Sequence, residues 1–217
     1  MQVGSRTETG HVRRRNEDAL MVEPGAGVFA VADGLGGHPA GDVASALAVR
    51  TLAAALAPPA LTDADDPEQL LISAIEGAHE AVRAESSGDP SRIGMATTVV
   101  LAAVHDGQAW VAHVGDSRAY VLTDDKLRQV TRDHGLGGYV TQAVGLDSRI
   151  EPSTTRLDLP AGSRLLLCTD GLSNMLDDDQ IGELLADGDA QQACDALVTS
   201  ALDAGGVDNV TVVVLAP

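Results

Sequence analysis

Aspartates recur at the ends of apolar runs along this sequence, and carboxylates gathered in one place can bind a divalent cation. Three of them follow an apolar run and two precede one: Asp33, Asp116 and Asp170, then Asp18 and Asp208. A single aspartate in such a place, next to glycine, is typical of a turn. Five aspartates that flank five expected strands favour a shared chemical role instead.

A fold that gathered these strand ends would bring like charges together. Two carboxylates about 4 Å apart repel by roughly 4 kcal/mol at an effective dielectric constant near 20, which is large beside the marginal stability of a domain. A bound divalent cation would relieve that repulsion. Oxygen ligands without a cluster of Cys and His favour magnesium, manganese or calcium over zinc. Whether the ends meet depends on the fold.

Apolar runs and helical spacing predict a mixture of strands and helices. Strands are expected near 1–8, 18–23, 27–33, 97–105, 108–114, 118–123, 154–158, 164–169 and 209–215, and helices at 40–57, 67–86, 178–187 and 189–204. Pro58 and Pro59 end the first helix, and Pro67 suits the first turn of the second. Because the strands come in hairpin-like runs after a helical pair, the pattern predicts the α+β class.

The composition fits a single domain, residues 1–217, with an aliphatic core. A chain of 217 residues can bury such a core without disulfides. It contains only one Trp, one Phe and two Tyr, which argues against aromatic stacking on single-stranded nucleic acid. The net charge of −18 also argues against a nucleic-acid partner.

The sequence is typical of a cytoplasmic protein that does not contact a membrane. Residues 1–18 lack the apolar core of a signal peptide, and no uninterrupted apolar stretch approaches the length of a membrane span. In that compartment Cys168 and Cys194 are expected to be buried, free thiols.

The glycines that follow Asp33 do not form a nucleotide-binding motif. The dinucleotide fingerprint fails because Pro39 stands where its third glycine should be, and the Lys-Ser/Thr pair of a P-loop is missing. The sequence also lacks a nucleophile elbow. Carboxylates and basic residues therefore remain as the candidates for chemistry.

Seven segments, in this order, resemble the motifs of the type 2C metal-dependent serine/threonine protein phosphatases. They are GHVRRRNEDAL (10–20), VADGLGGHPAGDVAS (31–45), GMATTVV (94–100), VAHVGDSRAYVL (111–122), QVTRDH (129–134), TDGLSN (169–174) and DNVTVVVL (208–215). The sequence is similar to the bacterial branch of the family. The resemblance implies a four-layer αββα sandwich, two antiparallel β-sheets flanked by helices, with two Mn²⁺ or Mg²⁺ ions in a cleft at the strand ends.

The resemblance also implies which residues bind the metals. Asp33 would bridge both ions, and the carbonyl of Gly34 would ligate one of them. Asp170 and Asp208 would complete the other site. Asp116 matches the position of a third, weaker metal in bacterial relatives.

Four further residues match family positions around the metals. Arg13 would clamp the substrate phosphate, a task that suits the planar fork of a guanidinium. Glu17, Asp18 and Asn209 would hold the waters that complete the metal shells. Two metals about 3.5 to 4 Å apart can lower the pKa of a shared water and stabilise an in-line displacement at phosphorus. Arg13 and Asp33 are therefore the expected catalytic residues.

His38 is a possible general acid. Animal members of the family carry a histidine directly after the Asp-Gly pair, proposed for that role, whereas this chain has Leu35 there. His38 lies three residues later, and a hydrogen bond within its own loop is the favoured interpretation.

The sequence departs from the family pattern after Asp133 and His134. Bacterial relatives place a long, partly helical flap between that pair and the stretch corresponding to 140–146, whereas only GLGGY (135–139) intervenes here. Because the flap flanks the active site in relatives, its near absence should widen the cleft, weaken substrate selection and loosen the third metal near Asp116.

The leading hypothesis is hydrolysis of phosphoserine and phosphothreonine in proteins by a monomer that opposes bacterial Ser/Thr kinases. A Ser/Thr kinase is itself expected among the phosphoprotein substrates. The complete set of matching residues supports it: Arg13, Asp18, Asp33, Asp170 and Asp208. One alternative is a pseudophosphatase that only binds a partner, which the short flap favours and the retained acids oppose. Another is a phosphatase for small phosphate esters, which an open cleft would admit.

Overall fold

The computed structural model describes residues 1–38, 40–136, 139–146 and 149–217. Its strands are β1 (Gln2–Glu8), β2 (Asp18–Glu23), β3 (Val28–Asp33), β4 (Val99–His105), β5 (Gln108–Val114), β6 (Arg118–Thr123), β7 (Lys126–Gln129), β8 (Gly135–Leu136), β9 (Tyr139–Val140), β10 (Ser153–Asp158), β11 (Arg164–Cys168) and β12 (Val210–Ala216). Its α-helices are α1 (Gly41–Ala55), α2 (Pro67–Gly88), α3 (Asp170–Ser173), α4 (Asp178–Ala186) and α5 (Ala190–Asp203), and a 3₁₀ turn spans Pro90–Arg92.

Two antiparallel sheets of five strands form the centre of the fold. The first sheet has the order β1-β12-β11-β6-β7, the second has the order β10-β5-β4-β3-β2, and β8 and β9 form a separate hairpin. In the first sheet, the register pairs Gln2 with Ala216 and Glu8 with Val210. In the second sheet, Asp18 at the start of β2 lies opposite Asp33 at the end of β3.

Aliphatic side chains fill three core layers, as the scarcity of aromatic residues requires. Val31 of the second sheet and Leu167 of the first belong to the layer between the sheets. Leu52 lies in the layer where α1 and α2 cover the second sheet, and Leu197 lies where α3, α4 and α5 cover the first. Each of these side chains is fully buried. The result is the expected α+β, four-layer αββα sandwich.

The predicted strands and helices are present, with ends displaced by no more than two residues. β7, β8, β9 and α3 are not among the elements predicted from the sequence. β7 (KLRQ) is an edge strand with alternating exposed residues, so it lacks an apolar run. The other three elements span four residues or fewer, which is too short to show a periodicity.

Two of the sequence interpretations fall partly outside the described residues. They concern Pro39 and the GLGGY stretch, which includes residues 137 and 138. Within the described ranges, none of the helices combines the length and the apolar character that a membrane span needs.

Candidate active site

Strand ends from both sheets meet at a cleft of about 250 Å³. Eight residues predicted for the site line it together: Arg13, Glu17, Asp33, Gly34, Asp116, Asp170, Asp208 and Asn209. Leu35, Gly36 and Val140 complete the lining. Asp33 ends a strand of the second sheet, whereas Asp170 and Asp208 flank β11 and β12 of the first. The cleft therefore lies across the junction of the two sheets.

Two threonines before β4 hold the backbone of Asp33. Its N–H donates to Oγ1 of Thr98 (3.0 Å), and its carbonyl accepts from the N–H of Thr98 and from Oγ1 of Thr97, both at 2.8 Å. Oγ1 of Thr98 also hydrogen-bonds to Oγ of Ser117 at 2.6 Å. Because Ser117 follows Asp116, this contact links the position of Asp33 to the loop that carries Asp116.

Gly34 is required by the close approach of three backbone segments. A Cβ atom at this position would lie 2.4 Å from the carbonyl of Gly41, the first residue of α1, and 2.7 Å from the carbonyl oxygen of Glu17. The N–H of Gly34 donates to that same Glu17 oxygen at 3.1 Å. Glycine therefore lets the start of α1 pack directly behind the strand end, and residue 34 lines the cleft through its backbone.

Asp18 is held by hydroxyl groups from the opposite sheet. Its Oδ2 accepts from Oγ1 of Thr211 (2.6 Å) and from Oγ1 of Thr169 (3.0 Å). Thr211 is hydrogen-bonded in turn to Oγ1 of Thr7 at 2.7 Å. The other oxygen of Asp18, Oδ1, is buried without a hydrogen-bond partner among the described residues. A buried carboxylate oxygen in this state is available to a cation or to a water.

Asp170 has a similar division between its two oxygens. Its Oδ2 accepts from Nδ2 of Asn174 at 3.1 Å, at the end of the single turn α3. Its Oδ1 is buried and, within the part of the chain that is described, has no hydrogen-bond partner.

Arg13 reaches the cleft from the loop between β1 and β2. Its Nη2 donates to Oδ2 of Asp208 at 2.6 Å, while Oδ1 of Asp208 accepts from the N–H of Asn209 at 2.8 Å. The Arg13 side chain is 41% exposed. The hydrogen bond and charge of Asp208 raise the pKa of Arg13, so the guanidinium stays cationic.

Burial and mutual repulsion raise the pKa values of the acidic groups in the cleft. Burial, followed by the charges of Asp18 and Asp170, raises the pKa of Asp33 well above its ordinary value. Burial raises the pKa of Asp18 to about 7, although the bonds from its threonines oppose the shift. Burial and the charge of Asp208 raise the pKa of Asp170. Burial and the charge of Asp170 raise the pKa of Asp116 to about 6.

The donor set fits a hard divalent cation. Asp33, Asp170 and Asp208 offer carboxylate oxygens, which magnesium and manganese prefer. Within the described ranges, no group of three or more Asp, Glu, His or Cys side chains is arranged so that it could hold an ion without rearrangement. Arg13 donates to Oδ2 of Asp208, so an ion bound at that oxygen would replace this contact. Oδ1 of Asp170 has no hydrogen-bond partner in the described structure, and the pKa of this carboxyl group is raised. A bound cation would interact with that oxygen and stabilise the ionised form.

Glu17 and Asn209 differ in what they present to the cleft. Burial, followed by the charge of Asp42, raises the pKa of the Glu17 carboxyl group. The carboxamide of Asn209, in contrast, is bonded to the backbone of the loop that carries Arg13. Its contacts therefore differ from those expected of a residue that holds waters at the metals.

His38 does not line the cleft. Its Nδ1 hydrogen-bonds to the carbonyl of Gly94 at 3.0 Å, which lies in a different loop. Within its own loop, the N–H of His38 donates to the carbonyl of Leu35 at 3.2 Å. His134 has a different structural contact, because its N–H donates to the carbonyl of Gly115 at 2.9 Å, next to Asp116. A role for His38 as a general acid stays a prediction.

The threonines that hold the acidic residues were not predicted as site residues from the sequence. Thr97 and Thr98 lie in the GMATTVV segment, while Thr169 and Thr211 lie in the TDGLSN and DNVTVVVL segments. The signal was their place within these segments, although each threonine contacts an acid far away in the sequence. The residue type alone gave no indication, because a threonine in a strand is ordinarily a strand former.

Comparisons with known proteins agree with this arrangement. The family model described as "Protein phosphatase 2C" matches residues 7–203. The serine/threonine phosphatase Stp of Listeria monocytogenes is 33% identical over 240 aligned positions, covering 99% of this chain and 95% of that protein. This alignment is longer than the 217-residue chain, so Stp has residues without a counterpart here, consistent with the short flap.

Two further relatives connect the chain to solved structures. PstP of Mycobacterium tuberculosis is 34% identical over 99% of this chain, which spans 44% of the length of PstP. A structure of the PstP catalytic domain in complex with two manganese ions has a TM-score of 0.89 at 33% identity, covering 98% of this chain and 96% of that one. PppA of Pseudomonas aeruginosa, titled a key regulatory component of T6SS, has a TM-score of 0.89 at 35% identity, with coverage of 98% and 96%.

These matches extend over nearly the whole chain and include both the family model and the fold. The expected sandwich, the expected dependence on divalent metal and the expected enzyme class, a protein serine/threonine phosphatase, are confirmed. The chain belongs to the protein phosphatase 2C family.

Proposed function

We propose that this protein releases phosphate from phosphoserine and phosphothreonine in proteins through the cleft described above, with a water as the attacking group. The observation that carries the proposal is the convergence of Asp33, Asp170 and Asp208 from both sheets in one cleft. Burial raises the pKa of Asp33 and Asp170, so ionised carboxylates there are costly until positive charge is added.

In this proposal two divalent ions are held by oxygen donors only. The donors are the carboxylates of Asp33, Asp170 and Asp208 and the carbonyl of Gly34, with Asp116 at a third, weaker position. When bound, such ions lower the pKa of a water and stabilise negative charge on phosphoryl oxygens. Manganese and magnesium both suit these donors.

The residues behind the ligands orient the water. Oδ2 of Asp18 accepts hydrogen bonds from Thr169 and Thr211. Oδ1 lacks a partner in the described structure, so it is free to accept a hydrogen bond. A carboxylate held in this way can receive a proton or a hydrogen bond from the attacking water. Glu17, unlike Asp18, is among the residues that line the cleft, and its raised pKa suits a similar task.

Arg13 binds the phosphate group of the substrate. Its guanidinium lies beside Asp208 and its side chain is 41% exposed, so Arg13 reaches both the ligand set and the solvent side of the cleft. A planar guanidinium offers two parallel N–H donors to a pair of phosphate oxygens. This contact would place the phosphorus atom beside the water without a covalent enzyme intermediate.

We further propose that residues 1–217 form one catalytic domain that acts as a cytoplasmic monomer in signalling, opposing a Ser/Thr kinase. Two relatives, Stp and PstP, are named as serine/threonine phosphatases, which supports a counterpart kinase as the source of the substrate. Cys168 and Cys194 are both buried and free, which suits a reducing compartment.

Release of inorganic phosphate from a phosphothreonine peptide tests the proposal. We expect phosphate release with Mn²⁺, none with excess chelator, and a loss of more than about 100-fold for Asp170→Asn, because a metal ligand is removed. Asp158→Asn is the matched control, since Asp158 also ends a strand but is exposed and does not line the cleft.

Two results would contradict the proposal. The first is full activity in chelator or in Asp170→Asn, which would remove the metal and its ligand from the reaction. The second is a folded, manganese-loaded wild type that releases no phosphate from the peptide. A faster reaction on a sugar phosphate than on the peptide would favour small phosphate esters as substrates.

A further inference from the structure

The side chain of Asn209 is committed to the backbone of the loop at residues 9–17. Asn209 is 4% exposed. Its Oδ1 accepts from the N–H of Glu17 at 2.8 Å, and its Nδ2 donates to the carbonyls of Thr9 (2.8 Å) and Arg15 (2.9 Å). A carboxamide has two N–H donors, and both are used. Asn209 therefore directs every N–H of its carboxamide to the loop.

The three anchor points of Asn209 lie on either side of Arg13. Thr9 comes before it, and Arg15 and Glu17 come after it, so one side chain holds both ends of the 9–17 loop. Within this loop, the guanidinium of Arg13 reaches Asp208 at 2.6 Å.

The same loop packs against the turn at residues 206–209 through its backbone. The N–H of His11 donates to the carbonyl of Gly206 at 2.7 Å. Gly10 has a φ of +78°, and a Cβ atom there would lie 2.2 Å from the carbonyl oxygen of Asp208. The His11 ring also lies over Gly206, and the Ser45 hydroxyl donates to the carbonyl of Glu17 at 2.6 Å. Among these contacts, the Asn209 carboxamide is the one that bonds to the loop on both sides of Arg13.

We infer that Asn209 is a positioning residue for Arg13. Its carboxamide holds the 9–17 loop so that the guanidinium stands beside Asp208, where the substrate phosphate must bind. The inference rests on the proposed function, because it assumes that Arg13 binds that phosphate.

The structure separates this role from a role in metal binding. Asn209→Ala removes three hydrogen bonds to the loop but keeps the backbone N–H that donates to Oδ1 of Asp208. Asp208, the expected metal ligand, therefore keeps its hydrogen bond from the backbone, while the loop that carries Arg13 loses its three hydrogen bonds to residue 209. A displaced Arg13 would bind the substrate phosphate more weakly, because its two N–H donors would no longer face the phosphate oxygens.

The test is a double-mutant cycle of Asn209→Ala and Arg13→Ala, assayed on a phosphothreonine peptide at saturating Mn²⁺. We expect Asn209→Ala to raise KM about tenfold while kcat changes less than about threefold, since a group that binds the phosphate is misplaced. In the Arg13→Ala background the same substitution should have no further effect. Titration of Mn²⁺ alone by calorimetry should give dissociation constants within about twofold of the wild type.

Gln191→Ala is the matched control. The Gln191 carboxamide also bonds to backbone on another element, accepting from the N–H of Ser5 (3.1 Å) and donating to its carbonyl (3.2 Å), but it lies away from the cleft. It should leave KM unchanged. If Asn209→Ala does not fold by circular dichroism, Asn209→Ser, which keeps one hydroxyl donor for the loop, carries the same cycle.

Three results would overturn the inference. Weakening of Mn²⁺ binding by tenfold or more would assign Asn209 to the metals. Independent effects of the two substitutions would show that it does not act through Arg13, and an unchanged KM would show that the loop needs no such support. Failure of the proposed function looks different, because the wild type itself would then release no phosphate.

Discussion

Asp18→Asn should stabilise the protein when metal is removed and impair it when metal is present. The substitution preserves size, and the amide oxygen can still accept from Thr169 and Thr211. The amide nitrogen would occupy the place of the buried Oδ1, which has no hydrogen-bond partner in the described structure. There it replaces an acceptor with a donor next to other carboxylates.

The size of the effect follows from the raised pKa of Asp18. Burial raises this pKa from 3.8 to about 7, and each unit corresponds to about 1.4 kcal/mol, so ionised Asp18 costs on the order of 4 kcal/mol above pH 7. Because neighbouring carboxylates relax when one of them is neutral, we expect about 2 to 4 kcal/mol in practice. For a chain of this length, that is a rise in Tm of roughly 5 to 15 °C.

The pH dependence has a defined sign. The pKa of Asp18 is near 4 in the unfolded chain and about 7 in the folded protein. The folded protein therefore has its full stability below pH 4 and loses part of it as the pH rises through 7. The advantage of Asp18→Asn in excess chelator should therefore be absent near pH 4 and complete near pH 8. Thermal unfolding at several pH values measures it.

Manganese should reduce or reverse the stability advantage of Asp18→Asn over the wild type. An ion that binds only the folded protein stabilises it by about 2.7 kcal/mol at 100 times its dissociation constant, and Asp18→Asn should bind it more weakly. Asp158→Asn, at an exposed strand end, controls for a general change in charge. If Asp18→Asn is no more stable than the wild type in chelator at pH 8, or if its advantage does not vary between pH 4 and 8, the electrostatic reasoning about the cleft is wrong.

Two further predictions concern the scaffold and are measured by urea unfolding. Gly34→Ala should lower the free energy of unfolding by roughly 3 kcal/mol, because its Cβ would lie 2.4 Å from Gly41. Gly77→Ala, at an exposed position of α2 where a Cβ meets nothing within 4 Å, should raise the free energy of unfolding by up to about 1 kcal/mol. A loss at both positions would show that the two substitutions do not separate close packing from helix propensity. Arg118→Ala should cost about 2 kcal/mol, since it breaks a two-pronged ion pair with Asp133 and leaves the buried Tyr120 hydroxyl without its donor. A loss under about 0.5 kcal/mol would show that this pair behaves as an exposed one.

The elements were predictable where the sequence carries a long apolar period or a stop signal. β3 is buried along almost its whole length and reads as a continuous apolar run, and α1 ends shortly before Pro58. β7 could not be predicted, because a polar edge strand is specified by its neighbour β6 rather than by its own pattern.

The acidic residues of the site could be predicted from the sequence, whereas the hydrogen bonds that hold them could not. Asp33, Asp170 and Asp208 are conspicuous because a charge after or before an apolar run needs an explanation. The bond from Asp18 to Thr211 joins residues far apart in sequence and depends on how β2 and β12 face each other across the sheets. The sequence does not show that the Asn209 side chain bonds to three backbone groups of the 9–17 loop, because these contacts depend on how distant segments pack.

The antiparallel pairing of β1 with β12 determines how this domain can be joined to other sequences. Glu8 and Val210 lie at the cleft end of these strands, whereas Gln2 and Ala216 lie side by side at the far end. Additional sequence attached at either terminus would leave the sandwich at the side opposite the cleft, without crossing the path of a substrate. PstP, of which this chain spans 44%, shows that the family accepts such additional length. The same geometry would let a tag, a surface tether or a linker that joins the two ends leave the active site open.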